Sequence, residues 1–422
     1  MRFAVVSAVL SALLWSSAFA QEQEKSTLER LKELEEEIGK LKEEQEKKDG
    51  ADGKAVPALE EKKDELKEHG RITALTRLIN RTRIGGYFDL EFTDFREKNS
   101  TLDNHHLIIQ FSSYLHERIF FNSEIEYEHA AGELGVEQAY MDFLIHDMIN
   151  FRGGVVLVPV GKLNLLHDSD YRDLTLRPLT ETYIIPSTWS DVGVGFFGSF
   201  FLGPVTLNYE TYLVNGLREG INVKKGLRDA RDVKASDNNS DKSYCLRLEA
   251  VAFDGKVTLG VAGYRGRFDD RGRHTVFSYA ADLTIAVPLG SGGGWISGPL
   301  ELRMEAARFT ADLTNAGGGS SPRGAGAFVQ LSFHFFPPFL KDTFLGIGFD
   351  HPTFTLVGLW DAVQIQDPVS HRWNHQRRLS VGLNFRPLEQ VAFKVEYVDE
   401  DSDEIYGNFE QDGVAASIAV GF

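Results

Sequence analysis

The sequence predicts an all-β protein, a transmembrane antiparallel β-barrel of about sixteen strands, preceded by a short N-terminal α-helical coiled-coil segment. Three observations carry that prediction. From Arg81 to Phe422, apolar and polar residues alternate with a period of two, in stretches of about ten residues, the length a tilted strand needs to cross a bilayer. Connections between the stretches alternate short and long along the chain. The chain ends on one more alternating strand, Val414, Ala416, Ile418, Val420 and Phe422, with an aromatic as its last residue. A soluble sandwich also alternates, so the length and connection pattern decide.

The 422 residues include 45 basic and 62 acidic side chains, a net charge of −17. Residues 1–20 contribute +1, residues 21–70 contribute −6 and residues 71–422 contribute −12. An acidic balance argues against a nucleic-acid partner, which needs clustered basic charge to displace counterions. Cys245 is the single cysteine, so no internal disulfide and no multi-cysteine metal site can form.

The elements follow in order. Residues 1–20 read as a cleavable export signal: Arg2, an apolar run from Phe3 to Trp15, and Ala18-Phe19-Ala20 as the cleavage site. Residues 21–70 hold 17 acidic and 11 basic residues and no aromatics. Leu31, Leu34, Ile38 and Leu41 follow a 3-4-3 spacing that places them on one helical stripe. The segment reads as a coiled coil joining subunits; the alternative is a solvated helical linker. Residues 71–80 link it to the barrel domain, 81–422. There Ile84, Phe88, Leu90 and Phe92 take one face, with Asp89, Glu91 and Thr93 between them. Val205 to Leu213, Tyr244 to Ala250, Phe277 to Ile285 and Leu379 to Phe385 repeat the pattern. Leu202-Gly203-Pro204, Asp254-Gly255 and Pro387-Leu388-Glu389 are tight connections; Asn215 to Asp241, Thr310 to Arg323 and Asp399 to Gly413 are long. In 343–376 both Phe344 to Phe349 and Thr353 to Leu359 look extended, and an even strand count requires one of them to be loop.

A barrel this wide is not filled by strand side chains alone, so its interior should hold water. The polar phase carries Glu124, Glu126 and Glu128 on one strand, a cation-attracting strip or else a polar face partnered by neighbouring arginines. Arg152, Arg247, Glu249 and Arg303 face the same way. Residues 161–190 form the third outer loop, with Asp168, Asp170, Arg172, Asp173, Arg177 and Glu181, and their apolar and proline content predicts a loop folded inward to narrow the pore. Packing at the mouth or against a neighbouring subunit is the alternative. His105-His106 has no second ligand pair at metal spacing, and no motif calls for a cofactor. Neither a Gly-x-Ser-x-Gly elbow nor a His-Glu-x-x-His helix is present, so the expectation is a non-enzyme, with a rim Ser/His hydrolase or a tether to the cell wall as competing classes.

Several stretches resemble the phosphate-selective porin O/P family of outer-membrane channels. They are Ile84-Gly85-Gly86-Tyr87-Phe88-Asp89, Ser123-Glu124-Ile125-Glu126-Tyr127-Glu128, Glu137-Gln138-Ala139-Tyr140-Met141-Asp142-Phe143, Val158-Pro159-Val160-Gly161, Arg177-Pro178-Leu179, Ile185-Pro186-Ser187-Thr188-Trp189 and Val214-Asn215-Gly216. The likeness covers residues 81–216; beyond them it rests on strand pattern and Phe422. It implies a sixteen-stranded, homotrimeric porin of the bacterial outer membrane with inward-folded loops; the alternating last strand with Phe422 separately looks like the signal read by the barrel assembly machinery. The family's lumenal arginine ladder and lysine cluster have no counterpart here, where the comparable ladder is glutamate. The expectation is therefore a passive channel for small hydrophilic solutes or ions with a weak lean towards cations, and a phosphate or anion-selective porin is the alternative.

Overall fold

The computed structural model describes Glu33, Glu36 and Lys40 and residues 81–96, 98–130, 132–231, 236–289, 298–312, 322–367, 370–403 and 411–422. Glu33, Glu36 and Lys40 are helical. The expected export signal, the rest of the coiled-coil segment and the linker 71–80 lie outside the described residues. Packing separates the chain into Ile84–Phe111 with Arg118–Phe422, which is the barrel, and Met1–Arg83 with Ser112–Glu117.

Among the described residues sixteen strands close into one antiparallel barrel, each beside its sequence neighbours. β1 (Thr82–Phe95), β2 (Thr101–His116), β3 (Ile119–Glu128), β4 (Glu133–His146) and β5 (Ile149–Leu157) lead to the long connection 158–189. β6 (Ser190–Leu202) and β7 (Val205–Val214) lead to a second, 215–242. β8 (Ser243–Ala252), β9 (Val257–Arg267), β10 (Thr275–Leu289), β11 (Gly298–Ala311) and β12 (Arg323–Phe335) follow. β13 (Thr353–Gln366), β14 (Trp373–Leu388), β15 (Val391–Ser402) and β16 (Gly413–Gly421) complete the ring. The ambiguity at 343–376 resolves: Thr353–Gln366 is strand, and Phe344 to Phe349 belong to the connection 336–352. The seam runs from Tyr87 opposite Gly421 to Phe95 opposite Gly413. Beyond it the Phe422 N–H donates to the Gly86 carbonyl at 2.9 Å, so the terminal aromatic is part of the closure.

Strands of up to 16 residues exceed the expected nine to eleven. The reason is visible on β14 and β15, where pairing continues outward past Leu379 into Arg377 opposite Asp401, residues suited to water. Within the apolar band Trp360, Leu379, Val381, Leu383, Phe393 and Val395 are exposed, while Asp361, Arg378, Asn384, Lys394 and Glu396 on the other phase are buried. That inversion of the soluble pattern matches strands with hydrocarbon outside and polar groups within. At the end carrying the tight turns, Phe335, Phe354 and Phe385 stack in a row, with Phe354 and Phe385 centroids 4.7 Å apart. Aromatic girdles of this kind sit at the lipid headgroup level in membrane barrels.

The β3–β4 ladder contains one irregularity. Glu124 lies opposite Gln138, but Ile125 lies opposite Val136, so Glu137 is the extra residue of a bulge. Its carboxylate is buried, and the bulge aims it at the connection 158–189.

Candidate functional site: the barrel interior

The connection 158–189 lies inside the barrel, tied among other contacts to lumenal side chains of every strand from β11 to β16. The Lys162 N–H donates to Glu305 of β11 at 2.8 Å, and Gln330 and Ser332 of β12 donate to Asp173 at 3.0 and 2.9 Å. The Leu179 N–H donates to Asp361 of β13 at 2.9 Å and the Leu176 N–H to Glu396 of β15 at 2.7 Å. Asn384 of β14 donates to the Asp173 carbonyl at 3.1 Å, and Thr175 meets Ser417 of β16 at 2.9 Å. These wall groups replace the water that the loop's backbone would otherwise need.

The connection 215–242 folds over the first. Leu227 N–H donates to the Tyr183 carbonyl at 2.9 Å, and Gly226 permits that approach at φ +56°, where a Cβ would lie 2.1 Å from the same oxygen. Together the two connections place Ile184, Ile185, Trp189, Leu217 and Leu227 against Val214, Cys245, Tyr264, Val276, Phe309 and Ile365 of the wall. On this side apolar side chains from two loops fill space expected to hold water. The correction has a simple cause: the lumenal phase turns apolar towards the outer ends of β7 to β13, so burial against a loop is favoured over hydration there.

The opposite side stays polar. A cavity of about 320 Å³ lies between a strand wall bearing Glu91, His105, His106, Glu126, Glu128 and Glu133 and a loop face bearing Arg172, Arg177, Arg228 and Arg231. Arg228 and Arg231 come from one 3₁₀ turn and its cap, three residues apart and therefore on one side. They donate to the Ser187 carbonyl at 3.1 Å and the Thr188 carbonyl at 2.8 Å. Burial, and then the neighbouring Arg231 and Arg177, lower Arg228 to about 10, and it remains cationic at neutral pH. Arg172 donates to the Thr175 carbonyl and to Ser169 at 2.8 Å, and Arg177 donates to Thr188 at 3.4 Å, so loop oxygens hold both guanidinium groups at the cavity's edge.

The residues singled out in the sequence take distinct places. Glu124, Glu126 and Glu128 face the interior; Glu124 accepts from Gln110 at 2.8 Å, and Glu126 and Glu128 face His106 rather than an arginine. Arg152 holds Asp142 in a bidentate pair at 2.7 and 2.8 Å and stacks over Tyr140 at 4.1 Å. Arg247 grips Asp282 at 2.7 and 2.8 Å and Glu249 at 3.0 Å, and Glu249 also accepts from Lys162 at 2.6 Å. Arg303 pairs with Glu301. Asp170, Asp173 and Arg303 lie together around a second cavity of about 710 Å³. Arg172 and Arg177 line the first cavity, and Asp168 lies 3.2 Å from His167. Glu181 is fully buried beside Glu305; burial first, and then that carboxylate, push it well above the usual carboxylate range.

Sequence reading missed Glu137, whose Oε1 is 2.7 Å from Nε2 of buried His167. Burial opposes the charged imidazole, but Glu137 and then Asp168 outweigh it and raise His167 above its ordinary value. A bulge has no marker in an alternating pattern, so this contact was not legible. Arg228 and Arg231 were missed as well; their three-residue spacing in a long loop was the available signal.

In fold the chain is similar to OmpT, an outer membrane protein of Vibrio cholerae. The in-vitro folded trimer form superposes with a TM-score of 0.51 at 9% identity, covering 81% of this chain and 99% of that one. The outer-membrane expressed form gives 0.50 at 10% identity, covering 81% and 97%. The fold is that of outer-membrane β-barrels. No family model matches the chain. An "Uncharacterized protein" of Aquifex aeolicus (strain VF5) is 26% identical over 353 residues, 75% of each chain.

Proposed function

We propose that the protein is an outer-membrane porin, a channel for passive diffusion of small hydrophilic solutes or ions, narrowed by the connection 158–189. The observation that carries this reading is the charged cavity inside the barrel, with carboxylates on the strand wall and four arginines on the loop face. Opposed charges across a low-dielectric passage orient dipolar solutes and bias ions by sign. The acidic wall and the net −12 of residues 71–422 support a weak preference for cations. The arginine face supports the second reading, an anion-selective porin of the phosphate-selective kind.

Purified protein in a planar bilayer under a KCl gradient separates these. Discrete conductance steps with a cation-directed reversal potential are expected; an anion-directed potential selects the second reading, and absence of steps overturns the pore. Deleting residues 163–183 should raise the solute-size cutoff in liposome swelling, and an unchanged cutoff overturns the constriction. The V. cholerae trimer form supports a homotrimer. The Phe422 seam supports delivery by the barrel assembly machinery through β16. The charged segment 21–70 supports a contact with the cell wall.

A further inference from the structure

On the polar side of the interior, three strands bring together a set of side chains that are far apart in sequence. His106 of β2 is 1% exposed, and its Nδ1 lies 3.2 and 3.3 Å from the two oxygens of Asp89 on β1, itself completely buried. Asp89 is fixed in turn, because its Oδ1 accepts the His106 backbone N–H at 2.6 Å. The ring is thereby held with Nε2 directed at β3, where Glu126 Oε1 lies at 3.5 Å and Glu128 Oε1 at 3.6 Å. The three atoms lie within 4.8 Å of one another and border the cavity of about 320 Å³.

These separations fit a shared ion better than direct bonds. A charge-assisted N–H···O bond runs to about 2.7–2.9 Å, well short of both contacts. Nitrogen and oxygen ligands at about 2.0–2.2 Å from a tetrahedral zinc stand about 3.4 Å apart, close to both. A carboxylate on Nδ1 is also the usual outer support of a metal-bound histidine, since it fixes the tautomer and raises the basicity of the other nitrogen. Glu126 and Glu128 are two residues apart on one face of β3, so their like charges are neighbours, and a dication between them relieves that repulsion. Open cavity on the remaining side leaves room for water or a solute group as further ligand.

We propose that His106, Glu126 and Glu128 form a binding site for a divalent transition-metal ion of the zinc class, with Asp89 as the positioning residue for His106. One imidazole and two carboxylates favour such an ion over calcium or magnesium, which take oxygen ligands in larger number. The cluster of Glu137, His167 and Asp168 differs: the Glu137 and His167 atoms are 2.7 Å apart, a direct contact with no space for an ion between them.

The test is zinc binding to the full-length protein, purified in detergent and stripped with chelator. Titration calorimetry with ZnCl₂ at neutral pH should show one saturable equivalent per chain. His106→Gln should weaken binding at least about 100-fold, and Asp89→Asn about 10–100-fold, the range for loss of an outer-shell carboxylate. X-ray absorption at the zinc edge should show one imidazole nitrogen with oxygens at about 2.0–2.2 Å, a readout that needs no variant to fold. Absence of saturable binding, a shell without imidazole, or unchanged affinity in the doubly substituted Glu126→Gln and Glu128→Gln protein overturns the site. Binding is read without conductance, so failure of this site and failure of the pore are separate results.

Discussion

The two sides of the barrel interior are built from the same alternating strands and do opposite things. Along β7 to β13 the outer lumenal positions are Val214, Cys245, Tyr264, Val276, Phe309 and Ile365, and two loops press an apolar core onto them. Along β1 to β4 the corresponding phase is Asp89, His106, Glu124, Glu126, Glu137 and Asp142, and a cavity remains open. Where the outer lumenal positions are apolar the two loops pack onto them; beside the polar strands β1 to β4 a cavity remains between wall and loop. A lumenal position is thus defined by what stands opposite it, loop or water.

The comparison breaks first on the apolar side. Trp189→Ala removes a buried indole from the loop core and should cost about 3–5 kcal/mol in urea unfolding of the detergent-solubilised protein, with looser protease protection of 158–189. A loss below 1 kcal/mol would mean the loop core does not hold the loop. On the outer surface Leu379→Arg should cost about 2–4 kcal/mol when the protein is folded into liposomes and much less in solvating detergent, because the cost belongs to hydrocarbon. Equal losses in both would remove Leu379 from the lipid face.

The bulge contact between the two sides gives a pH dependence. His167 is raised from its ordinary 6.5 to about 9, with burial opposing and Glu137 and Asp168 favouring the charged form. A raised folded value means its stabilisation is complete below about 6.5 and is lost as the pH climbs through about 9. Loop protection, followed by hydrogen exchange, should therefore fall across that window, and His167→Gln should flatten the profile. On the polar side the readout is permeation rather than stability. Glu126→Gln with Glu128→Gln leaves the loop core untouched and should move the reversal potential towards anions. An unmoved potential would take these glutamates out of the permeation path.

Most of the barrel was legible because a strand's period is strict and its two faces meet different surroundings. Ile84 to Phe92, Val205 to Leu213 and Leu379 to Phe385 each announced their outward phase, and the polar phase supplied the lumenal residues. Even the single strand between 343 and 376 followed from the parity of a closed antiparallel ring. The inward course of 158–189 was suggested by its apolar residues, but its anchors were not, since Glu305, Asp361, Glu396 and Ser417 lie more than a hundred residues away.

By itself the sequence determined the strands, their faces and the sign of the overall charge, all of them properties of residues close together in the chain; for the loop 161–190 it left an inward course and packing at the mouth both open. Tertiary structure alone decided which half of the interior is filled and where the arginines of the two loops point. It also decided that Asp89, His106, Glu126 and Glu128 meet across β1, β2 and β3. The physical reason is register: the β1–β2 and β2–β3 connections set which lumenal side chains stand level, and sliding a strand by two residues leaves unchanged the alternation from which the strands were read.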